Sequence, residues 1–310
     1  MIVSVSRRTD IPALYSDWFF NRLAEGYVLV QNPRNPNRFS KVLLNPHVID
    51  CLIFWSKNPY PMIARLDELK EYKYYFQFTL TPYENDIEAK LPPVAKRIEI
   101  FKQLSDKIGP DKIVWRYDPI FINEKYYIEF HQEAFFQMAS QLKDYTSKCI
   151  ISFIDHYSHI KNIFNKFQIS PMSDYEIRQI MKSLSQTVSG TNLKLETCAE
   201  DIDLSEFDIL HGACIDKEMI EQIIGCPLVS KKDKNQRLMC NCIESIDIGT
   251  YDSCPHGCIY CYATTNKDKV YRNMRLHDKN SPKLLGYPHE NDIITDKEMK
   301  LLRTNQKTLF

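Results

Sequence analysis

The sequence predicts an α/β fold on parallel strands, in the form of a (β/α)8 TIM-like barrel or part of one. Three observations lead there. Eight short apolar segments, most of them rich in β-branched or aromatic residues, recur along the first two thirds of the chain. Amphipathic stretches separate several of them, and strand–helix alternation implies parallel pairing. Polar clusters follow the segments, at the end of a parallel barrel whose loops carry chemistry. Eight units in about 215 residues stand near the small end of that fold; an open doubly wound sheet is the alternative.

The expected strands are Ile2–Ser6, Tyr27–Gln31, Cys51–Trp55, Tyr74–Thr79, Lys112–Arg116, Cys149–Phe153, Leu193–Thr197 and Leu210–Cys214. Helical periodicity runs through Pro61–Glu71, where Ile63, Leu66 and Leu69 recur every third residue opposite Arg65, Asp67, Glu68 and Lys70. Pro92–Ile108 carries Val94, Ile98, Phe101 and Leu104, and Gly109 is its stop. Glu129–Leu142 and Asp174–Val188 read alike, the latter with Ser173 as N-cap. Asp216 is placed to cap a short helix, Lys217–Ile224. Residues 1–225 form the barrel in this reading. Residues 226–310, polar at Ser230–Arg237 and weakly periodic after Lys267, form an extension packed on its mouth.

Composition narrows the function classes. Forty basic and forty acidic side chains cancel, so the overall field does not indicate nucleic acid or an anionic membrane as partner. The N-terminal segment meets Arg7 and Arg8 too early for a secretory signal, and no apolar run reaches membrane-spanning length. Of 10 cysteines, 8 follow position 197. That crowding points to metal in a reducing, cytoplasmic setting and away from a secreted disulfide framework.

The densest chemistry is Cys254-Pro-His-Gly-Cys258-Ile-Tyr-Cys261. Three thiolates on one short loop can each ligate one iron of a 4Fe–4S cluster, leaving the fourth iron without a protein ligand. Electron-carrying clusters ordinarily take four cysteines. A zinc knuckle is the competing reading, although zinc motifs usually pair C-x2-C units with a fourth ligand. Gly257 lets the loop turn tightly, and His256 reads as a supporting or solvent-facing residue.

The C-x3-C-x-aromatic-C pattern, with Tyr260 as the aromatic residue, resembles the cluster motif of the radical S-adenosylmethionine (SAM) superfamily. That resemblance implies an open-iron 4Fe–4S cluster, SAM as cofactor and a reductase or a flavodoxin- or ferredoxin-type electron donor. It also implies radical chemistry on a small-molecule substrate. The longer run Ile248-Gly-Thr-Tyr-Asp-Ser253 before the motif, together with SRRTDIP, FWSKNP and WRYDPI, resembles a bacterial family described only as a domain of unknown function. This second resemblance spans nearly the whole chain and implies no substrate. The motif lies after about four fifths of the chain, whereas the superfamily sets it after the first barrel strand, and no Gly-Gly-Glu segment occurs. SAM binding is therefore implied by the cysteine motif alone.

At the strand ends stand Ser6–Asp10, Asn32–Arg34, Ser56–Asn58, Thr79 with Thr81, Arg116–Asp118, Ser152 with Asp155 and His156, Glu196 with Cys198 and Glu200, and His211 with Cys214 and Asp216. Singly, such residues serve as caps or surface ion pairs; Asp10 suits a helix cap. Together they describe a polar, ligand-shaped mouth. Arg116 is the favoured anion clamp, with Lys57 and Arg8 next; Arg116, Asp118, Lys57 and Asp155 are the candidate catalytic set, and Tyr260, Arg8 and Arg116 the candidate cofactor contacts.

Cys198 and Cys214 end neighbouring expected strands, and Cys240-Asn-Cys242 follows a polar loop. These four thiols suit a second 4Fe–4S cluster or a structural zinc. Buried small hydrophobes are the plain alternative for Cys198 and Cys214. Two further function readings stay open. One is a SAM-independent iron–sulfur protein that binds substrate or sulfide at the open iron or moves electrons. The other is a zinc-stabilised barrel hydrolase working through Asp118, Asp155 and His156.

Overall fold

A computed structural model describes residues 1–155 and 160–304. Its centre is an eight-stranded sheet in which every ladder is parallel. Its strands are β1 (Ile2–Val5), β4 (Cys51–Ser56), β5 (Tyr74–Thr79), β6 (Ile113–Ile120), β7 (Lys148–Phe153), β8 (Lys194–Thr197), β9 (Leu210–His211) and β10 (Ile246–Asp247), and the spatial order is β10-β1-β4-β5-β6-β7-β8-β9. A second, three-stranded sheet holds β2 (Tyr27–Asn32), β3 (Asn35–Leu43) and β11 (Ile293–Asp296).

Alternation along the strands sorts side chains onto two faces. Val3, Val5, Phe54, Phe76, Phe78, Trp115, Tyr117 and Ile151 belong to the larger core. The helices α2 (Ser16–Glu25), α4 (Val94–Ile108), α5 (Ile128–Leu142) and α7 (Asp174–Val188) contribute Trp18, Phe101, Phe135 and Ile180 to it. Ile2, Ile53, Tyr75, Val114 and Ile150 turn to the opposite face, where they meet Cys214, Ile215, Cys240 and Cys242. Full burial of each large apolar side chain stabilises by roughly 1.5–3 kcal/mol. The local signals act as chemistry requires: Ser173 and Glu176 form a capping box on α7, and Asp216 caps α8 (Lys217–Ile224) through the Glu218 and Met219 amides.

Three expectations need correction. Tyr27–Gln31 is not a strand of the main sheet. It pairs antiparallel with β3 through an Asn32–Asn35 turn, because no helix intervenes to bring the chain back parallel. The sheet does not close on itself before residue 216 either: among the described residues no ladder joins β9 to β10. After the two residues of β9 the chain leaves the sheet edge and crosses the second face. There the Cys214 carbonyl accepts from Tyr75 Oη at 2.7 Å and Gln77 Nε2 at 2.8 Å, both on β5. The pattern expected over Pro61–Glu71 also splits, into α3 (Tyr60–Ile63) and a 3-10 turn at Leu66–Leu69. Residues after 225 supply strands to both sheets, β10 to the first and β11 to the second. No helix among the described residues is long and apolar enough to cross a membrane.

Candidate functional site at the strand C-termini

The segment after β1 begins the site. Asp10 caps α1 (Ile11–Leu14), accepting from the Ala13 amide at 3.0 Å. The same buried carboxylate accepts from Ser56 Oγ at 2.7 Å and the Lys57 amide at 2.8 Å, both at the end of β4. His256 Nε2, from the cysteine loop, lies 2.9 Å away. Burial alone would raise the Asp10 pKa, but His256, the Lys57 amide and the Ser56 hydroxyl outweigh it and hold the carboxyl below its ordinary value. His256 is itself buried, so of its two expected roles it takes the supporting one.

Glu88 is the second anchor. It follows β5 and is fully buried, with Oε1 accepting from Lys57 Nζ at 2.7 Å, from Thr81 Oγ1 at 2.8 Å and from the Tyr260 hydroxyl. Arg97 Nη1 bonds Oε2 at 2.8 Å. Desolvation pushes the Glu88 pKa up, yet the charges of Lys57 and Arg97 bring it below the ordinary carboxylate value. Lys57 also donates to the Tyr260 hydroxyl at 2.8 Å. Backbone bonds complete the docking: Ile259 N to Ile87 O at 3.0 Å and Lys90 N to His256 O at 2.9 Å. Gly257 takes φ +75°, a turn that only glycine adopts without strain.

Cys254, Cys258 and Cys261 are thus held over the C-terminal ends of β1, β4 and β5, half-buried and free of disulfides. Desolvation raises the thiol pKa of Cys254 and of Cys258; at Cys258 the charge of Lys57 opposes the rise. Among the described residues no three His, Cys, Asp or Glu side chains surround a point that a single ion could occupy. The fit of this trio to a cluster taking one thiolate per iron rests on its donor chemistry: three soft thiols on one anchored loop, with lysine and arginine charges beside it.

The other four candidate thiols also come together. Cys198 Sγ and Cys214 Sγ are 2.9 Å apart, wider than a disulfide at about 2.05 Å. Cys242 Sγ accepts from the Ile215 amide at 3.3 Å and hydrogen-bonds to both Cys214 and Cys240. Tetrahedral zinc with bonds of about 2.3 Å sets its sulfurs about 3.8 Å apart, so the Cys198–Cys214 pair must open to share one ion. Arg116 Nη1 donates to Cys214 Sγ at 2.6 Å, and Nη2 pairs with Asp118. The Cys214 pKa is set first by hydrogen bonds, from Cys198 downward and from Cys242 upward; burial adds a rise, Arg116 opposes it, and the net is about 12. The hydrogen bond to Cys242 brings the Cys240 thiol below its ordinary value.

Arg116 is therefore committed to Asp118 and a thiol; its expected place as an anion clamp is taken up by protein groups. Asp118 also accepts from Ser152. Arg8 stacks 5.1 Å from the Tyr251 ring and reaches Gly249 O at 3.5 Å. Asp155 meets Arg237 at 2.6 Å, near Glu200, whose pKa burial raises to about 7. His156 lies outside the described residues. Trp55 joins the two thiol groups: the guanidinium groups of Arg7 and Arg116 lie 5.9 and 5.3 Å from its ring, and Lys57 follows two residues on. Sequence reasoning missed Trp55, Glu88 and Arg97, and it singled out Arg8 where Arg7 faces the four-thiol side. Arg7 stands beside a flagged arginine, whereas Glu88 lies in an aperiodic loop without a signal.

A parallel α/β sheet with seven cysteines gathered at and beside its strand C-termini defines the class. The chain belongs to the family described as Domain of unknown function (DUF1848), whose model matches residues 2–263. No curated protein and no solved structure matches it.

Proposed function

We propose that this protein is an iron–sulfur enzyme resembling radical SAM enzymes. The observation that carries the reading is the anchoring of the cysteine loop through Glu88–Tyr260 and Asp10–His256, over the strand ends that also present Lys57, Asp118 and Arg116. Cys254, Cys258 and Cys261 would hold a 4Fe–4S cluster. When bound, that group supplies reductive, one-electron cleavage of SAM and so starts radical chemistry. The chain's own residues hold the loop rigid, keep water away from it and orient a small-molecule substrate at the mouth. Lys57 puts a positive charge between the loop and Asp118. In the finer form of this reading, the sheet is a partial (β/α)8 barrel whose open side is filled by residues 213–216 and 240–243.

Cys198, Cys214, Cys240 and Cys242 would hold a second metal centre, a fully ligated 4Fe–4S cluster or zinc, with Arg7 and Arg116 offsetting thiolate charge. The test is a spectrum of anaerobically purified, reduced protein with and without SAM. A SAM-dependent change supports the assignment. An iron–sulfur spectrum indifferent to SAM points to a SAM-independent iron–sulfur protein, and zinc without iron to the zinc-stabilised hydrolase.

A further inference from the structure

We propose that the basic face of the helix α9 (Lys267–Arg275) is the docking surface for an acidic one-electron carrier protein that reduces the cysteine loop. The proposal rests on the iron–sulfur reading above and adds the place where the electron enters. The helix is tied to the loop on two sides. Asp252, two residues before Cys254, pairs with Lys269 Nζ at 2.8 Å, and its carbonyl accepts from Asn273 Nδ2 at 2.9 Å. On the other side Tyr271 Oη accepts from Lys90 Nζ at 2.6 Å, and the Lys90 amide bonds His256 O inside the loop. A partner seated on α9 therefore rests on a helix tied to residues two positions from the thiols.

Charge gives the chemistry of that partner. α9 carries Lys267, Lys269, Arg272 and Arg275 against the single carboxylate of Asp268, in a chain whose net charge is +0. All four cations are exposed, as are Lys90 and Tyr271. Among the described residues Lys267, Arg272 and Arg275 form no ion pair within the chain. Arg272 and Arg275 suit the last turn of a helix, but Lys267 sits at its first turn, where the helix dipole disfavours a cation by about 0.3–1 kcal/mol. A local cost without a local partner fits a partner outside the chain. An exposed cationic face with an aromatic contact steers an anionic protein into brief, salt-sensitive encounters. In the step itself one electron leaves the reduced carrier and enters the iron–sulfur group; no bond forms or breaks.

The test uses the full chain, reconstituted anaerobically and assayed for iron first. A reduced, acidic flavodoxin-class protein is mixed with it at low and high salt, and the visible absorbance of the protein's iron–sulfur group is followed. With Lys267→Glu, Arg272→Glu and Arg275→Glu combined, the low-salt rate should fall by about tenfold or more. Iron content and reduction by dithionite should stay unchanged. Binding of the oxidised carrier to the metal-free chain, read from flavin fluorescence, should weaken in parallel. The matching Gln triple variant should lie between, which guards against a folding defect. Iron-replete protein whose carrier-driven rate ignores charge reversal or salt overturns this proposal alone. Wild-type protein that binds no iron overturns it together with the iron–sulfur reading. Tighter retention of a single-stranded oligonucleotide than of the carrier would reassign the face to nucleic acid.

Discussion

Arg116 donates a hydrogen bond to the Cys214 sulfur at 2.6 Å, from the strand β6 across to the segment that follows β9. This contact places a permanent positive charge on the four-thiol group and ties that group to Asp118. It also converts an arginine that reads in the sequence as a ligand clamp into part of a thiol environment.

Arg116→Gln is expected to reduce the thiolate fraction at Cys198 and Cys214, because the guanidinium lowers both thiol pKa values. In metal-free protein, alkylation of Cys198 by iodoacetamide at fixed pH should slow by about threefold or more. Mass spectrometry of the modified peptide measures it. An unchanged rate would separate Arg116 from the thiols.

Glu88→Gln leaves Lys57 and Arg97 facing a neutral amide in a buried site. The expected loss is about 3 kcal/mol or more, read from urea unfolding at constant m. Tyr260→Phe removes one hydrogen bond to the same carboxylate and should cost about 1 kcal/mol. A Glu88→Gln variant as stable as wild type would show that the carboxylate does not anchor the loop.

Much of this was legible because buried parallel strands write themselves as short apolar runs. Tyr74–Thr79 and the helices Asp174–Val188 and Lys217–Ile224 stand where their periodicity and caps set them. The error at Tyr27–Gln31 came from counting strands without weighing the Asn32–Asn35 turn, which makes a hairpin. β10 was invisible because Ile246–Asp247 is only two residues long and its Asp247 carboxylate faces Ser4 and Ser6. At the site, the spacing of Cys254, Cys258 and Cys261 and the strand-end position of Cys198 could be read, whereas Cys214, expected to end a strand, lies three residues beyond β9. Their partners could not: Glu88, Arg97 and the pairing of Asp10 with His256 depend on loops meeting in space, for which a single sequence carries no pattern.

Gly249 marks a close approach. A Cβ there would fall 2.0 Å from Ser6 Oγ and 2.6 Å from Ser6 Cβ, where β10 meets the end of β1. Gly249→Ala should destabilise by about 1–3 kcal/mol through overpacking. Gly225→Ala is the comparison: φ is +75° but nothing lies within 4 Å, so the loss should be about 1 kcal/mol from backbone strain alone. Equal losses in thermal unfolding would count against the close contact.

His131 gives the fold a pH dependence of its own. Burial lowers its pKa from 6.5 to about 4, and Nε2 lies 2.8 Å from Phe121 O. Between those values the unfolded chain binds a proton that the native chain does not, so stability falls as pH drops through that window. The loss should reach about 3 kcal/mol below pH 4. His131→Gln should remove this component, seen as a flatter unfolding-versus-pH curve for the variant, so that the gap between the two curves changes as pH falls from 6.5 to 4. Parallel curves would contradict it.

Iron and acid-labile sulfide, measured on anaerobically reconstituted wild type and on the variant with Cys254, Cys258 and Cys261 all changed to Ala, test the central claim most directly. The account predicts that the variant loses about four irons and four sulfides relative to wild type, while the Cys198–Cys242 group keeps whatever metal it holds. A variant with the full iron content of wild type, or wild-type protein that binds only zinc, would contradict it.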